Sequence, residues 1–401
     1  MLPLNQAFNI LDQIILARSL RLPSEEIQVI NGLNRVLAAT QFSRLTLPPF
    51  DKSAMDGYAI IASDYAEQKI EYTLLETIAA GEVARQKLQP GTTIKIMTGA
   101  PVPQGASVIV PIENTEIKNN KIIILNWPRG SNICPFGEDI KSGDEILSKG
   151  KFLDPVAIAN LIACGISTVP VHSKLQAVII STGEEIVNDF ANITPGKIMD
   201  SNGPMLQTLC YKHGIDVVAN LKVGDDYAAT VAVLKQYLTT TDIILLSGGV
   251  SAGDFDFVTK ALSDAGLTMH FNRVAIKPGK PTTFASNDKT ALVFALPGNP
   301  VAVYLTFHLF VLRTMKLLFG VKPVDQESYI TLPLAQDFKH KETERVVYVP
   351  CRLDLNGTLL PLKSHGSAHL AILLQSSGFF VVPKDISELK QGEKATFFNI
   401  S

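Results

Sequence analysis

The chain of 401 residues is 46% hydrophobic and 18% charged, with a formal net charge of −2. This composition excludes a disordered or fibrous protein, and the near-neutral charge excludes a global basic field that would hold nucleic acid. The length exceeds that of one hydrophobic core, so we expect roughly two to four domains.

Cysteine usage and apolar runs indicate the compartment. The four cysteines are widely spaced and form no CxxC pair, which argues against zinc or disulfides and favours a reducing cytosol. The N-terminal stretch has no basic segment followed by an apolar core, so no signal peptide is predicted. The apolar run 301–320 is interrupted by His308, Arg313 and Lys316, which predicts a buried helix rather than a membrane span. We therefore expect a cytoplasmic protein without a membrane partner.

The N-terminal half changes texture along its length. Helices are predicted over 4–20 and 24–39, the second with Ser24 as N-cap. Short β-type runs between Gly/Pro turns follow and predict a small β-rich module. Residues 154–166 return to helix, because Asp154 can cap it and Pro155 suits its first turn.

From about residue 174 to 320, apolar strands alternate with helices. Strands are predicted at 175–182, 216–223, 241–249 and 291–300, and the tail from about 325 is β-type again. This alternation indicates a parallel sheet covered on both faces, which binds ligands at the carboxyl ends of its strands. The predicted modules are an N-terminal helical/α+β module (1–46 and 146–173), a small β-rich domain (47–145), an α/β domain (174–322) and a C-terminal β-barrel-like domain (323–401).

Three predicted strand ends share small residues and glycines, at 181–185, 247–256 and 296–300. Small residues let a ligand approach the backbone, and exposed N–H groups favour an anion. One such loop is weak evidence, whereas three at one sheet edge predict a phosphate or another oxyanion. The candidate binding residues are Ser181, Thr182, Gly183, Ser247, Gly248, Gly249, Ser251, Pro297, Gly298, Asn299 and Pro300.

Carboxylates accompany these loops, namely Glu184, Glu185, Asp225, Asp254 and Asp256. Beside a phosphate they could hold Mg²⁺, which prefers oxygen ligands. The alternative is that they cap helices or face solvent.

The stretch "AIKPGKPTTF" sets Lys277 and Lys280 on one stiff turn. Pro278 and Pro281 restrict the backbone, and Gly279 permits an unusual conformation. A surface turn with two solvated lysines is one interpretation. The other is a pre-organised clamp for a dianion, because fixing both ammonium groups lowers the entropy cost of binding.

Taken together, the motifs resemble the MoeA family, which includes the E domain of gephyrin. The matching stretches follow the family's order over nearly the whole chain, and they are "LPPFDKSAMDGYA", "IMTGAPVPQGA", "GED", "STGEE", "DSN", "SGGVSAGDFD", "AIKPGKP" and "LPGNPV". The resemblance implies a molybdopterin molybdenumtransferase that takes adenylylated molybdopterin and molybdate, uses Mg²⁺ and releases AMP. It also implies a homodimer of four-domain subunits with a MogA-like α/β domain, and a MogA-type protein and acceptor molybdoenzymes as partners.

The resemblance also implies roles for individual residues. Molybdate and phosphate oxygens would bind Lys277 and Lys280, while Glu185, Asp225 and Asp256 would hold Mg²⁺ or support catalysis. The remaining implied site residues are Asp56 and Thr98 from the partner subunit, Asp139 beside the same cleft, Pro281, the molybdate ligand Arg345, and Ser367 near the C-terminal oxyanion site.

Some positions depart from the family pattern. The arginines that often precede "GED" are missing, Lys52 replaces an asparagine, Glu184 replaces an aspartate, and Pro350 stands where a second arginine is common. None of these departures falls on Lys277 or Lys280. Two alternatives stay open from the sequence: a non-catalytic molybdopterin-binding scaffold, and a phosphoester hydrolase that uses only the α/β domain. The sequence does not distinguish molybdate from tungstate.

Overall fold

The computed structural model describes residues 1–17, 22–249, 257–287, 291–321, 329–363, 366 and 368–400. The fold has two compact units. One comprises residues 1–25, 34–36 and 172–401, here called the α/β unit, and the other comprises 26–33 and 37–171, here called the N-terminal unit. The boundaries of the four predicted modules remain a prediction.

Helix α1 (Leu4–Ala17) confirms the first predicted helix and belongs to the α/β unit. It buries Ala7, Leu11 and Ile15, spaced four residues apart so that they share one face. Its Asp12 carboxylate accepts hydrogen bonds from Arg313 Nε at 2.7 Å and Nη2 at 2.6 Å. The helix is therefore fixed to its own unit by an apolar stripe and a bidentate ion pair.

The second predicted helix, 24–39, is wrong. The segment forms strand β1 (Ser24–Gln28) and a short 3₁₀ turn (Val29–Asn31), so Ser24 begins a strand and caps no helix. Asn34 has a φ of 61°, which a helix cannot accommodate. The Val29 N–H donates to Ser167 O and Val29 is buried, so tertiary packing prevails over the local helical pattern.

The helices of the N-terminal unit are α2 (Ala62–Ala66) and α3 (Pro155–Ala163), and the strands from residue 24 to 172 are β1, β2 (Gln41–Phe42), β3 (Lys52–Ser53), β4 (Gly57–Ile61), β5 (Glu71–Ile78), β6 (Thr92–Ile96), β7 (Ala106–Pro111), β8 (Thr115–Lys118), β9 (Lys121–Ile124), β10 (Ile133–Cys134), β11 (Glu145–Leu147) and β12 (Thr168–His172). The unit is built mainly on a six-stranded sheet of order β7-β4-β6-β5-β9-β8, whose faces carry two apolar clusters. Helix α3 confirms the predicted helix after this sheet, because Asp154 accepts a hydrogen bond from the Ala157 N–H and Pro155 opens the first turn.

The α/β unit has a six-stranded central sheet. Its strands are β13 (Gln176–Thr182), β16 (Asp216–Val223), β17 (Ile243–Ser247), β18 (Thr268–Phe271), β20 (Thr283–Ser286) and β21 (Leu292–Leu296), and the short strands β14 (Ile186–Val187), β15 (Ile198–Met199) and β19 (Ile276–Lys277) lie outside it. The order is β16-β13-β17-β21-β20-β18. The first four strands are parallel, as predicted. β20 then pairs antiparallel with β21, and β18 pairs antiparallel with β20.

Helices flank this sheet. They are α4 (Asn202–Lys212), α5 (Tyr227–Tyr237), α6 (Phe257–Asp264), α7 (Pro300–Thr306) and α8 (Leu312–Leu318), with a π-helical segment (Phe307–Val311) joining the last two. The continuous helix Pro300–Leu318 is the one in the described ranges that is long and apolar enough to cross a membrane, yet 78% of its most apolar window is buried. It is a core helix, as the interrupting polar residues predict.

The tail of the α/β unit contains β22 (Tyr329–Pro333), β23 (Phe338–Lys339), β24 (Val346–Leu353), β25 (Leu359–Pro361), β26 (Gly378–Val382), β27 (Glu388–Leu389) and β28 (Lys394–Asn399). Most of these strands join a second sheet of order β19-β24-β26-β28-β22, with β25 paired to β24, whereas β23 and β27 pair with each other in a separate two-stranded sheet. Ile276 and Lys277 pair with Val346 and Val347 of this sheet. The predicted lysine turn is thus hydrogen-bonded to the C-terminal strands. The predicted class, multidomain α/β plus β, is confirmed.

Candidate active site at the carboxyl edge of the parallel sheet

The three predicted loops leave the same edge of the central sheet. Strands β13, β17 and β21 are parallel neighbours in register, with Ser181 opposite Ser247 and Ser247 opposite Leu296. Gly248 has a φ of 95°, and a Cβ there would lie 2.4 Å from Thr182 O, so only glycine fits. The described first residues of these loops therefore lie close enough together to share a ligand.

Asn202, the first residue of α4, fastens these loops together. Its Nδ2 donates to Ser247 Oγ at 2.8 Å and to Gly298 O at 2.7 Å. Its Oδ1 and the nearby Ser181 Oγ are buried without a hydrogen-bond partner in the described part of the chain. Unsatisfied buried polar atoms are uncommon, and these two lie under the strand ends. The sequence contained the signal, since Asn202 ends the "DSN" motif, but we did not predict it as a site residue.

The turn that carries the two lysines is tightly packed. Gly279 has a φ of 113°, and a Cβ would lie 2.8 Å from both Ile276 Cδ1 and Thr306 Cγ2. Its carbonyl accepts a 2.7 Å hydrogen bond from Thr282 Oγ1. Lys277 is exposed and Lys280 half-buried. Neither lysine forms an ion pair with any described residue, so both charges remain available to a ligand.

A cavity of about 870 Å³ lies at this edge, within the α/β unit. It brings together most of the residues predicted for this unit: Thr182, Gly183, Glu185, Asp225, Gly248, Gly249, Lys277, Lys280, Pro281, Pro297, Gly298, Asn299 and Arg345. Ser181 and Ser247 are buried at the strand ends, and Pro300 begins α7. The candidates Ser251, Asp254, Asp256 and Ser367 lie outside the described residues.

Two carboxylates face the cavity, those of Glu185 and Asp225. Both residues are exposed, and the Glu184 N–H points to Asp225 Oδ2 at 3.4 Å. Groups of three or more metal-ligating side chains are absent from the described residues. Mg²⁺ commonly takes only one or two protein carboxylates and completes its shell with water and substrate phosphates. The pair therefore fits Mg²⁺ bound together with a phosphorylated substrate.

Strands β23 and β24 and the residue after β23 supply a wall that the sequence did not predict. Phe338, Lys339, His340, Tyr348 and Pro350 line the same cavity. Lys339 Nζ lies 3.1 Å from Glu388 Oε1 in an ion pair. Both ring nitrogens of His340 are buried without a hydrogen-bond partner among the described residues. Phe338 and Lys339 form the short strand β23, His340 follows it, and Tyr348 and Pro350 belong to β24. None of these sequence patterns points to a ligand.

Asp56 and Thr98 meet in the N-terminal unit. Asp56 Oδ1 accepts hydrogen bonds from the Thr98 N–H at 2.7 Å and Thr98 Oγ1 at 2.8 Å. The bond from the Thr98 backbone, and then that from its hydroxyl, lowers the pKa of Asp56. The predicted pair is therefore brought together as an exposed, firmly ionised carboxylate.

Asp139 lines a different cavity of the N-terminal unit, of about 610 Å³, together with Leu47, Pro48 and Lys52. Its own N–H donates to Leu47 O at 3.1 Å. Lys52 thus places a positive charge in the same cavity as Glu138 and Asp139 of the "GED" segment.

Comparison with known proteins agrees with this arrangement. Three family models match: the MoeA N-terminal region, domains I and II (residues 2–165), a probable molybdopterin-binding domain (178–317), and the MoeA C-terminal region, domain IV (331–399). The chain is 32% identical over 381 residues to molybdopterin molybdenumtransferase 2 of Mycobacterium tuberculosis, covering 91% of this chain and 92% of the relative.

Two further relatives extend the match. The molybdopterin molybdenumtransferase of Staphylococcus aureus is 32% identical over 387 residues, covering 95% of this chain and 92% of that protein. A crystal structure of the molybdopterin biosynthesis MoeA protein from Pyrococcus horikoshii superposes with a TM-score of 0.80 at 30% identity, with both chains covered completely. This chain belongs to the MoeA family of molybdopterin molybdenumtransferases and is an enzyme of the transferase class.

Proposed function

We propose that this enzyme inserts molybdenum from molybdate into adenylylated molybdopterin and releases AMP, in a reaction that depends on Mg²⁺. The coarser assignment, molybdenum cofactor biosynthesis, follows from the family. The observation that carries the finer proposal is the cavity at the sheet edge, which is lined by Lys277 and Lys280 as well as by Glu185 and Asp225. Two cations suit an oxyanion, and two carboxylates suit a hard metal ion beside a phosphate.

The charges explain how two anions can meet. Molybdate is a dianion, and the pyrophosphate linkage of the other substrate adds more negative charge. Lys277 and Lys280 would neutralise oxyanion charge, and the glycine-rich strand ends would offer N–H groups to phosphate oxygens. Glu185 and Asp225 would hold Mg²⁺, which when bound would neutralise phosphate charge and polarise the phosphoryl oxygen.

Chemistry then requires positioning more than a protein nucleophile. A molybdate oxygen or a water attacks the AMP phosphorus, and the anhydride bond to the molybdopterin phosphate breaks. The two dithiolene thiols then displace one oxygen from molybdenum. This oxygen leaves as water with both thiol protons, or within AMP with release of the two protons when a molybdate oxygen has taken the adenylyl group. Cys164, Cys210 and Cys351 are buried, which supports the prediction that the cysteines serve packing.

The direct test follows AMP release and cofactor formation from adenylylated molybdopterin, Mg²⁺ and molybdate. We expect both products, and both should require molybdate. AMP release that is independent of molybdate would instead favour the hydrolase, and tight pterin binding without turnover would favour the scaffold.

The lysine clamp has its own test. A Lys277→Ala, Lys280→Ala double variant removes two charge-assisted contacts worth about 1.5–3 kcal/mol each, so KM for molybdate should rise ~100-fold or more. Lys384→Ala is the matched control, because this exposed lysine of the same unit lines another cavity. Full activity of the double variant at low molybdate would exclude the assignment of the two lysines.

The proposal includes a cytoplasmic homodimer in which Asp56, Thr98 and Asp139 serve the partner subunit's site. MogA-type proteins and acceptor molybdoenzymes are the proposed partners. A complementation assay tests the shared site: inactive Asp56→Ala and inactive Lys277→Ala proteins are mixed and allowed to exchange subunits. Restored activity, approaching one intact site per mixed dimer, is expected. Failure to restore activity despite exchange, shown by differential tags, would contradict a shared site.

A further inference from the structure

The loop between β23 and β24 contains an internal ion pair that borders the candidate active site. Arg345 Nε donates to Glu342 Oε2 at 3.0 Å, and Arg345 Nη2 donates to the same oxygen. The other guanidinium nitrogen, Nη1, lies 3.4 Å from Ile276 O. Arg345 lines the cavity with Lys277, yet much of its donor fork is directed to a carboxylate of its own loop.

Burial makes this pair more than a surface contact. The side chains of Arg345 and Glu342 are only 19% and 15% exposed. An exposed pair contributes little, whereas a shielded, hydrogen-bonded pair is costly to separate. The hydrogen bonds from Arg345, more than the nearby charge of Lys277, lower the pKa of Glu342, so its carboxylate stays charged at neutral pH.

We propose that Glu342 is a built-in counter-ion of the oxyanion site, which a tetrahedral dianion must displace from Arg345 in order to bind there. The inference rests on the proposed function, which assigns a dianion to this cavity. It adds a residue that sets affinity and selectivity. The contacts of a weakly charged anion would not offset the free energy lost when Glu342 separates from Arg345. Those of a dianion held by Lys277, Lys280 and Arg345 would.

The loop geometry favours an exchange of side chains over a movement of the backbone. The Val346 N–H donates to Ala275 O at 3.1 Å, and the Asp385 N–H donates to Thr343 O at 2.8 Å. These bonds fix the loop on both sides of the pair. Glu342 needs only a change of rotamer to leave the fork, although it also gives up a 3.0 Å bond from the Glu344 N–H to its Oε1.

The test compares Glu342→Gln with Glu344→Gln by titration calorimetry, with molybdate alone as the probe at constant pH and ionic strength. The glutamine amide keeps an acceptor for the Glu344 N–H but removes the negative charge. Glu344 is a matched control, because its loss changes the net charge equally while it lines a different cavity. We expect Glu342→Gln to bind molybdate ~10-fold more tightly, and Glu344→Gln to bind within about twofold of wild type.

A double variant connects the gain to Arg345. In an Arg345→Gln background, Glu342→Gln should raise the affinity for molybdate only slightly. The electrostatic effect of the Glu342 charge on the more distant Lys277 is then the only contribution left. A gain of equal size in both backgrounds would overturn the proposal, as would equal gains in the two glutamine variants. Unchanged or weaker binding by Glu342→Gln would also overturn it, and would leave Glu342 as a structural brace of the loop.

The same data separate this inference from the proposed function. If Arg345→Gln alone and the Lys277→Ala, Lys280→Ala variant both bind molybdate like wild type, the oxyanion site itself is misplaced. If those variants weaken binding and Glu342→Gln does not tighten it, only the counter-ion proposal fails.

Discussion

Replacing Gly279 by alanine tests whether the lysine turn is as rigid as its packing indicates. The new Cβ would lie 2.8 Å from Ile276 Cδ1 and from Thr306 Cγ2. Neither neighbour can move easily, because Ile276 is fully buried and Thr306 Oγ1 is hydrogen-bonded to Ala302 O at 2.7 Å. A φ of 113° adds backbone strain for any residue with a Cβ.

The magnitude follows from these two terms. The backbone conformation costs about 1–2 kcal/mol for alanine, and overpacking at a closed site costs about 1–3 kcal/mol more. Gly279→Ala should therefore lower the free energy of unfolding by about 2–5 kcal/mol. Gly266→Ala is the matched control, because Gly266 also has a positive φ, of 86°, but a Cβ there meets nothing within 4 Å. Gly266→Ala should therefore lower the free energy of unfolding only by the backbone contribution.

The assay uses the division of the chain into two units. The single tryptophan, Trp127, lies in the N-terminal unit, so its fluorescence reports that unit during urea unfolding, while far-UV circular dichroism reports both. We expect Gly279→Ala to shift the circular dichroism transition more than the fluorescence transition, and KM for molybdate to rise. Equal destabilisation by Gly279→Ala and Gly266→Ala would refute the packing argument. Unchanged KM would refute the claim that the turn aims the lysines.

Three further predictions concern titration, hydrogen bonding and accessibility. Burial lowers the pKa of His213 and of His308 from 6.5 to about 4, so as pH falls the unfolded chain binds protons first. The free energy of unfolding should then drop by several kcal/mol between pH 6.5 and 4, at about 1.4 kcal/mol per pKa unit, and a His213→Gln, His308→Gln variant should flatten this slope in acid titrations. In Asp56→Asn, Thr98 donates to a neutral and therefore weaker acceptor, and a negative charge is lost. Turnover should fall by about 10–100-fold, while circular dichroism should show that the fold is retained. Cys134, the one cysteine that is not buried, should alone react with a disulfide reagent in the folded protein, and a second fast thiol would contradict this.

The sequence predicted those parts of the fold whose signals are local. Helix α3 was correct because a cap, a proline and an apolar run agree within a few residues. The central parallel strands β13, β17 and β21 were predicted correctly because unbroken apolar runs require burial on both faces. The helix predicted after Ser24 was wrong because the conformation of this segment depends on hydrogen bonds to Ser167 and other distant partners, which no local pattern reveals. The antiparallel strands β18 and β20 escaped notice for the same reason, since an edge extension changes no periodicity.

The candidate site divides along a similar line. The strand-end loops, Lys277 and Lys280 were predictable because parallel topology gathers carboxyl ends at one edge, so sequence motifs become neighbours by rule. The wall formed by Phe338 and His340, and the pairing of Glu342 with Arg345, were not predictable. They depend on how a loop of the second sheet folds against the first, and polar loop residues carry no periodic signal.

Burial also explains why the site treats its cations differently. Lys277 is exposed, so water solvates its charge until an oxyanion arrives, and no internal partner is required. Arg345 is largely buried and cannot lose its proton, so it needs a counter-ion before substrate binds. Any acidic residue that meets this need competes with the substrate for the same donors. The affinity of the site for an oxyanion is therefore set by a difference: the contacts that the substrate gains at Arg345, less those that Glu342 gives up.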